Sequence, residues 1–319
     1  MKRELLMLLA FGVAIAAIPL VVRSDFLITL TTMALYSALL GISWNILGGF
    51  GGQYSFGHAV FFGMGAYVDA VAQVRFGLNA WTVLPLAVCG GALVGLLIGA
   101  LVFRYGLKGS YFALVTLAFA EVFRVLANTF DFTGAGVGMM IPLKPGTDQF
   151  QFTGQSGYLW AVLAMVMVGL LASLWLKHSR FGAQLVAVRE NEDAARALGV
   201  DVFRVKLGAI ALSGALMAAG GFFYMQKFNY IDPPLGFGAT VSVEALLVAI
   251  VGGIGSVFGP VVGAFVLAAL SQITTLLIGK DPALSVALYG VILVLMVAFL
   301  PSGLTGLGEK LFRRGAGER

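Results

Sequence analysis

The sequence predicts an all-α polytopic integral membrane protein of about ten spans, with broken or re-entrant helices, two pseudo-repeats and a short cytoplasmic helix. Hydrophobic residues make up 60% of the 319 positions and charged residues only 11%, which is too little polar surface for a soluble particle. One hydrophilic segment, 177–206, interrupts the apolar runs. We expect 1–319 to form a single transmembrane domain, with this segment and a tail over 301–319 in the cytoplasm.

Composition and motifs exclude several classes of function. The net charge of +5 does not indicate a nucleic-acid partner, because the basic residues lie between apolar runs. Cys89 is the only cysteine, and His58 and His178 are the only histidines, so we expect no disulfide within the chain and no Cys or His metal site. The G-x-x-x-x-G-K-[ST], H-E-x-x-H and G-x-S-x-G motifs are absent, so we expect no P-loop, catalytic residue or cofactor. Transport is the class of function that remains.

Ten apolar runs are predicted as membrane spans. At about 1.5 Å per helical residue, a hydrocarbon core about 30 Å thick requires about 18–22 apolar residues. The first run has no clear A-x-A cleavage site after it, so we expect an uncleaved helix rather than a signal peptide. The segment 241–254, about 21 Å long as a helix, is expected to be a half-helix or re-entrant. The predicted spans are 5–22, 26–47, 57–74, 81–103, 109–127, 157–176, 206–225, 241–254, 257–278 and 283–300.

The distribution of lysine and arginine predicts the orientation. Fourteen of the 20 Lys and Arg residues fall on one side of the predicted spans, five fall on the other, and Arg124 lies within a span. Because cytoplasmic loops are enriched in basic residues, we expect the richer side, with both termini and 177–206, to be cytoplasmic and the loop 128–157 to be outside. The fourteen are Lys2, Arg3, Arg104, Lys108, Lys177, Arg180, Arg189, Arg196, Arg204, Lys206, Lys310, Arg313, Arg314 and Arg319.

Two glycine-rich stretches interrupt the apolar runs in a similar way. The first break, 48–58, is GGFGGQYSFGH, and the second break, 252–260, is GGIGSVFGP. Non-helical backbone at membrane depth needs protein or water to satisfy its amides, and paired breaks indicate a transport site. We therefore predict two repeats around a pathway, although close helix packing also uses glycine. The predicted pathway residues are Gly49, Gly51, Gln53, Ser55, His58, Gly253, Gly255 and Ser256.

Several expectations concern individual residues in and near the membrane. Gly51 and Gly255 are expected to approach the pathway or to adopt torsions closed to other residues. Glu121 and Arg124 are three residues apart on one predicted helix, so they can pair. His58 is either a packing histidine or a ligand-binding one. The other polar groups inside or beside the apolar runs are Asn45, Gln53, Ser55, Asp69 and Glu244, and we expect Asp69 and Glu244 to lie near the outer interface.

The hydrophilic segment contains the signals of a helix of about two turns. Asn191 is suited to the N-cap, Glu192 and Asp193 favour the first turn, and Gly199 suits the left-handed position after the last turn. Such a short helix is marginal in water, so we expect it to dock on another surface through Ala194, Ala197 and Leu198. Asp201 can cap the helix that follows.

The segment from Asp193 to Gly199, DAARALG, resembles the E-A-A-x-x-x-G loop in permease subunits of bacterial ABC importers, with Asp in place of Glu. In that family this loop is the coupling helix that sits in a cleft of the ATPase subunit. The resemblance implies an ATPase-coupling role for Glu192, Asp193, Ala194, Ala195, Leu198 and Gly199. A solvated connecting loop is the alternative reading of these residues.

Three longer segments extend the resemblance over most of the chain. They are 107–121 (LKGSYFALVTLAFAE), 178–200 and 242–260, and together they resemble the LivM-type permease of branched-chain amino acid ABC importers. The resemblance implies a multi-pass subunit of a bacterial inner membrane. Its implied partners are a second, LivH-type permease, two cytoplasmic ABC ATPases and a periplasmic binding protein that delivers Leu, Ile or Val.

Other readings stay open at this stage. Related permeases carry urea, short amides or other amino acids, and much of the selectivity would reside in the binding protein. An ion-coupled secondary transporter would also use broken helices, and it would work without ATPase subunits. A structural scaffold would show no partner-dependent uptake.

Overall fold

The computed structural model of the chain describes residues 2–278 and, beyond them, residues 284, 287, 288, 290, 291, 294 and 303–306. Most of the predicted span 283–300 and most of the predicted tail lie outside the described residues. The described part is helical apart from turns and one pair of two-residue strands. The predicted all-α polytopic fold class is confirmed, and the two pseudo-repeats stay a prediction.

Twelve α-helices carry the described part of the chain. A π-helical turn, Ile46–Phe50, continues the second of them into the first break. The helices are α1 (Lys2–Val21), α2 (Asp25–Asn45), α3 (His58–Phe76), α4 (Ala80–Arg104), α5 (Ser110–Thr129), α6 (Gln155–His178), α7 (Arg180–Glu190), α8 (Glu192–Ala197), α9 (Val202–Phe228), α10 (Pro233–Phe237), α11 (Ala239–Gly252) and α12 (Gly259–Ile278).

Within the described residues, eight helical stretches are long and apolar enough to cross a membrane. They correspond to eight of the ten predicted spans. The predicted span 57–74 does form a 19-residue helix, α3, but it is not among the eight. Its polar residues, among them Asp69 and Arg75, lower its hydropathy, and 12 of its residues are buried inside the bundle. The eighth predicted span, 241–254, corresponds to the uninterrupted 14-residue helix α11, and α10 precedes it across Gly238, whose backbone is extended (ψ 144°). Together α10 and α11 form a stretch of 20 residues that is long enough to cross a membrane.

Small residues bring the central helices close together. α9 packs against α3 and α4, while α2 packs against α6, α11 and α12. A Cβ placed on Gly214 of α9 would lie 2.6 Å from the carbonyl oxygen of Gly91 in α4, closer than real Cβ atoms approach. In lipid the hydrophobic effect does not drive helices together, so their association depends on the van der Waals contact that such close approaches provide. The glycines of α4 and α9 therefore serve packing.

The predicted outer loop 128–157 is rich in turns. It contains three short 3-10 turns, Asp131–Thr133, Ala135–Val137 and Thr147–Gln149. Between them, strand β1 (Met139–Met140) pairs antiparallel with β2 (Tyr230–Ile231), which follows α9. This pairing ties the loop to the end of α9.

The helices α2 and α11 run parallel, and this places the two breaks at the same end of the bundle. Ser37 contacts Glu244 near the middle of α2, and Asn45 contacts Gly255 where both helices end. Each helix therefore leads into its break in the same direction. The two breaks are in contact with each other.

Candidate functional site

The hydrophilic segment folds into α7 and α8 before the chain returns to the membrane as α9. The side chain of Asn191 accepts hydrogen bonds from two first-turn N–H groups of α8, both at 3.0 Å. Gly199 follows the helix with a φ of +84°, and the N–H of Val200 donates to the carbonyl of Ala195 at 3.1 Å. Such bonds form a Schellman motif. The predicted start and stop of this helix are confirmed, whereas α7 was not predicted.

One face of α8 is fixed to the chain's own membrane domain, and we call it the inner face. Ala195 on this face is only 2% exposed. Glu192 forms an ion pair with Lys206 of α9, and their side chains are 18% and 5% exposed. The ammonium of Lys206 also lies 5.3 Å from the centroid of the Phe103 ring at the end of α4, within the range of a cation–π contact. These contacts stabilise a helix that is too short to persist alone.

The opposite face, the outer face, is open to solvent in the part of the chain that the structure describes. Leu198 is 84% exposed, and Ala194 and Ala197 are exposed beside it. Asp193 and Arg196 pair at 3.1 Å, with their side chains 80% and 63% exposed. An exposed leucine between small residues is a surface on which a partner helix or cleft could pack closely.

The six predicted coupling residues are therefore divided between two faces. Asp193, Ala194 and Leu198 lie on the outer face, and Gly199 terminates the helix beside them. Glu192 is half-buried in its ion pair, and Ala195 is buried against the chain itself. The expectation that Ala195 presents its side chain to a partner needs correction, since the Cβ of this residue already packs inside the protein.

A guanidinium from α7 connects the hydrophilic segment to the first break. Ser179 caps α7 by accepting a hydrogen bond from the N–H of Gly182 at 3.0 Å, and Leu185 and Val188 bury its inner side. Near its end, Arg189 donates from Nη1 to the carbonyl oxygen of Gly49 at 3.0 Å. A movement of α7 would therefore displace the backbone of the first break through this hydrogen bond.

Asn45 joins the two breaks. Its side-chain Nδ2 donates to the carbonyl oxygen of Ser256 at 2.9 Å, and its Oδ1 accepts from the N–H of Gly255 at 2.8 Å. A Cβ placed on Gly49 would lie 2.7 Å from the backbone nitrogen of Gly255, so glycine is required for this approach. Backbone groups of the second break are thus satisfied in part by one buried asparagine that lies just before the first break.

The torsions of the break glycines agree with the prediction at one position only. Gly255 has a φ of +74°, in the left-handed region that favours glycine. Gly51 has a φ of −92° and a ψ of −10°, which any residue adopts. The positive φ in the first break belongs to its neighbour Gly52, at +64°. The torsional expectation for Gly51 is therefore wrong by one residue.

Ser55 and His58 of the first break are buried and hydrogen-bonded. The carbonyl oxygen of Ser55 accepts from Nε1 of Trp44 at 2.8 Å, and its hydroxyl accepts from the N–H of Gly57 at 3.2 Å. His58 is fully buried, with Nε2 at 2.8 Å from the hydroxyl of Ser213 in α9. These contacts favour the packing role of His58 over a ligand-binding one.

A cavity of about 660 Å³ lies between α2, α11 and α12, away from both breaks. None of the eight predicted pathway residues is among the described residues that line it. Gln53 is 6% exposed and Ser55 is 1% exposed, so both lie inside the fold. Glu244 does line the cavity, and its hydrogen bond to Ser37, about 18 Å along α2 from Asp25, lies away from the helix ends, which corrects the expectation that it lies near the outer interface. Asp69 is also buried, bound by Gln73 and Gln226 at 2.7 Å each.

Comparison with known proteins identifies the family. Residues 26–297 match the family described as the branched-chain amino acid transport system permease component. The chain belongs to this family. It is 30% identical to the high-affinity branched-chain amino acid transport system permease protein LivM of Salmonella typhimurium, over 95% of this chain and 75% of that protein. The resemblance on which the sequence interpretation rests is confirmed.

Two further permeases are similar in sequence to this chain. The permease protein LivH of Salmonella typhimurium is 23% identical over 85% of this chain and 92% of its own length. The fructose import permease protein FrcC of Rhizobium meliloti is 28% identical over 66% of this chain and 61% of its own length. Permeases named for chemically different cargoes therefore share this sequence pattern.

Sequence reasoning missed three residues that the geometry makes prominent. Lys206 was read only as a basic residue at the membrane edge, and Arg189 only as one of the charges that set the orientation. Glu244 was placed at the wrong depth. A carboxylate within an apolar run is a signal by itself, because its cost in lipid requires a partner or a function. Lys206 and Arg189 carry no such local signal, because their contacts with Glu192 and Gly49 span 14 and 140 residues of sequence.

Proposed function

We propose that this chain is a permease subunit of an ATP-driven, binding-protein-dependent importer of branched-chain amino acids. It forms half of the translocation pathway, and a second, LivH-type permease forms the other half. Two ABC ATPases bind the cytoplasmic side of the permease, and a periplasmic binding protein delivers leucine, isoleucine or valine to the outer side. The single domain 1–319 lies in a bacterial inner membrane with both termini in the cytoplasm.

The observation that carries this proposal is the two-faced α8. Glu192 and Ala195 hold the helix against the membrane domain, while Leu198 is 84% exposed on the other side. An ATPase that binds the outer face can therefore displace α8, and the ion pair between Glu192 and Lys206 transmits that displacement to α9. Arg189 extends the connection to the first break through Gly49. Permease subunits of this kind are not themselves enzymes, and ATP hydrolysis is assigned to the partner subunits.

The test is reconstitution in liposomes with the second permease, both ATPases and the binding protein. Uptake of leucine should require ATP inside and should vanish when the ATPases carry an inactivating substitution. Uptake driven by an ion gradient without ATPases would overturn the proposal in favour of a secondary transporter. Uptake of urea or short amides in preference to leucine would retain the mechanism and replace the substrate.

The proposed orientation has its own test. In a Cys89→Ala background, Arg196→Cys on α8 should resist an impermeant thiol reagent added to intact cells, whereas Val137→Cys in the outer loop should react. Val137 is 83% exposed, so accessibility does not limit the control. Labelling of residue 196 from outside would contradict the proposed orientation and indicate the opposite one.

A further inference from the structure

Among the described residues that line the cavity between α2, α11 and α12, one is a carboxylate, Glu244. The cavity walls combine aliphatic side chains, including Leu30, Met33 and Leu247, with polar ones, including Ser271 and Gln272. Glu244 of α11 and Ser37 of α2 both line the cavity and are hydrogen-bonded to each other. The cavity volume of about 660 Å³ exceeds what one small solute occupies, so the space can admit a substrate together with water.

Among the described residues, only one oxygen of Glu244 has a hydrogen-bond donor. The hydroxyl of Ser37 donates to Oε1 at 2.6 Å, which fixes the orientation of the carboxylate. Among the described residues, no donor binds Oε2, and no Lys, Arg or His forms an ion pair with this group. Ser37 lies twelve residues after the start of α2 at Asp25, about 18 Å along the helix axis and so within a core about 30 Å thick.

We propose that Glu244, oriented by Ser37, binds the ammonium group of an amino acid during its passage through the permease. This inference rests on the proposed function and adds the site to it. A carboxylate at this depth favours a cationic partner, and the described residues of the cavity supply only the neutral hydroxyl of Ser37. A zwitterionic amino acid with an aliphatic side chain provides the ammonium for Oε2 and an apolar body for the walls around Leu247.

The charge of Glu244 can be tested in the complete reconstituted complex. Glu244→Gln keeps the size and the acceptor for Ser37 but removes the charge, and it should lower the kcat of leucine uptake at least about tenfold. Glu244→Asp should restore part of the rate. The matched control is Glu121→Gln, which removes a carboxylate paired with Arg124 at 2.5 Å outside this cavity and should leave uptake within about twofold.

A second measurement reports on the site without transport. In the Cys89→Ala background, Ser271→Cys on the cavity wall should react faster with a cationic methanethiosulfonate than with an anionic one. Glu244→Gln should reduce that ratio at least about threefold, because the local field then loses its negative charge. Saturating leucine should slow both reactions.

The outcomes separate this inference from the proposed function. Unchanged leucine uptake in Glu244→Gln, or an unchanged ratio of thiol reactions, would overturn the assignment of Glu244 while leaving the importer intact. No reaction at residue 271 would show that lipid or the second permease fills the cavity, which also overturns it. Absence of leucine uptake by the wild-type complex would instead contradict the proposed function.

Discussion

The inner and outer faces of α8 are built from the same kinds of residue but have different surroundings. Each face carries an acid in the first turn and an alanine one turn of chain away. On the inner face, Glu192 and Ala195 are held by the membrane domain. On the outer face, Asp193 and Ala197 are exposed. The sequence pattern alone therefore does not distinguish a face that packs on the chain's own membrane domain from a face that docks on a partner. Matched substitutions on the two faces can distinguish them.

The largest expected difference comes from placing the same bulky residue on each face. Ala195→Arg forces a charged side chain into a site that is 2% exposed, so it should cost about 3 kcal/mol or more of permease stability. Ala197→Arg, on the outer face, should leave the stability of the isolated permease unchanged but abolish substrate-stimulated ATP hydrolysis. Thermal unfolding in detergent and ATPase assays measure the two effects. Equal stability of the two variants would remove the distinction between the faces.

The acids of the first turn provide the second comparison. Glu192→Gln leaves Lys206, 5% exposed, without its counter-charge, and should cost about 2–3 kcal/mol after allowance for the partial exposure of Glu192. Asp193→Asn removes a solvent-exposed pair with Arg196 and should not change stability measurably. The measurement is again the unfolding temperature. A larger loss in Asp193→Asn than in Glu192→Gln would contradict the assigned faces.

A smaller effect on stability, with a clear effect on coupling, is expected at Arg189. Arg189→Gln removes a charged donor to the carbonyl of Gly49 and should cost about 1–2 kcal/mol. ATP hydrolysis should continue while leucine uptake per ATP falls, because the first break no longer follows α7. Arg180→Gln, at the exposed start of α7, is the control. The same ratio of uptake to hydrolysis in both variants would exclude a relay through Arg189.

The last comparison, at the end of α8, has a stability cost similar to that of Arg189→Gln. Gly199→Val should cost about 1–2 kcal/mol, because Gly199 has a φ of +84° and open space around it. Gly106 has a φ of +66°, also in open space, so Gly106→Val carries the same torsional cost in another loop. Only the change at Gly199 should reduce stimulated ATP hydrolysis. Equal ATPase activity in both variants would show that the stop of α8 has no special role.

Local signals in the sequence predicted the helices and their caps well. Asn191, Gly199 and Asp201 act within a few residues of themselves, so their roles follow from spacing alone; the side chain of Asp201 accepts from the N–H of Arg204 at 3.1 Å. The pair of Glu121 and Arg124 was predicted for the same reason and is present at 2.5 Å. The long apolar runs likewise predicted the spans.

Contacts between distant segments were beyond prediction. The likeness of the two breaks suggested a shared role, but nothing in the sequence indicated that Asn45 would bridge them or that Gly52 would carry the positive φ. The depth of Glu244 depended on how α11 pairs with α2, which periodicity does not report. Ala195 was assigned to a partner because small residues suit both a docking face and a buried one. The predicted role of the breaks as a pathway stays a prediction.

The most direct test of the central claim is protection of the outer face of α8 by the ATPases. In a Cys89→Ala background, Leu198→Cys and Val137→Cys start from 84% and 83% exposed side chains and should react with a thiol reagent at similar rates in the isolated permease. Addition of stoichiometric ATPase subunits should slow labelling at 198 by at least about tenfold, as expected for a buried interface core, and leave residue 137 unchanged. Undiminished labelling at 198 with the ATPases bound would contradict a coupling role for α8.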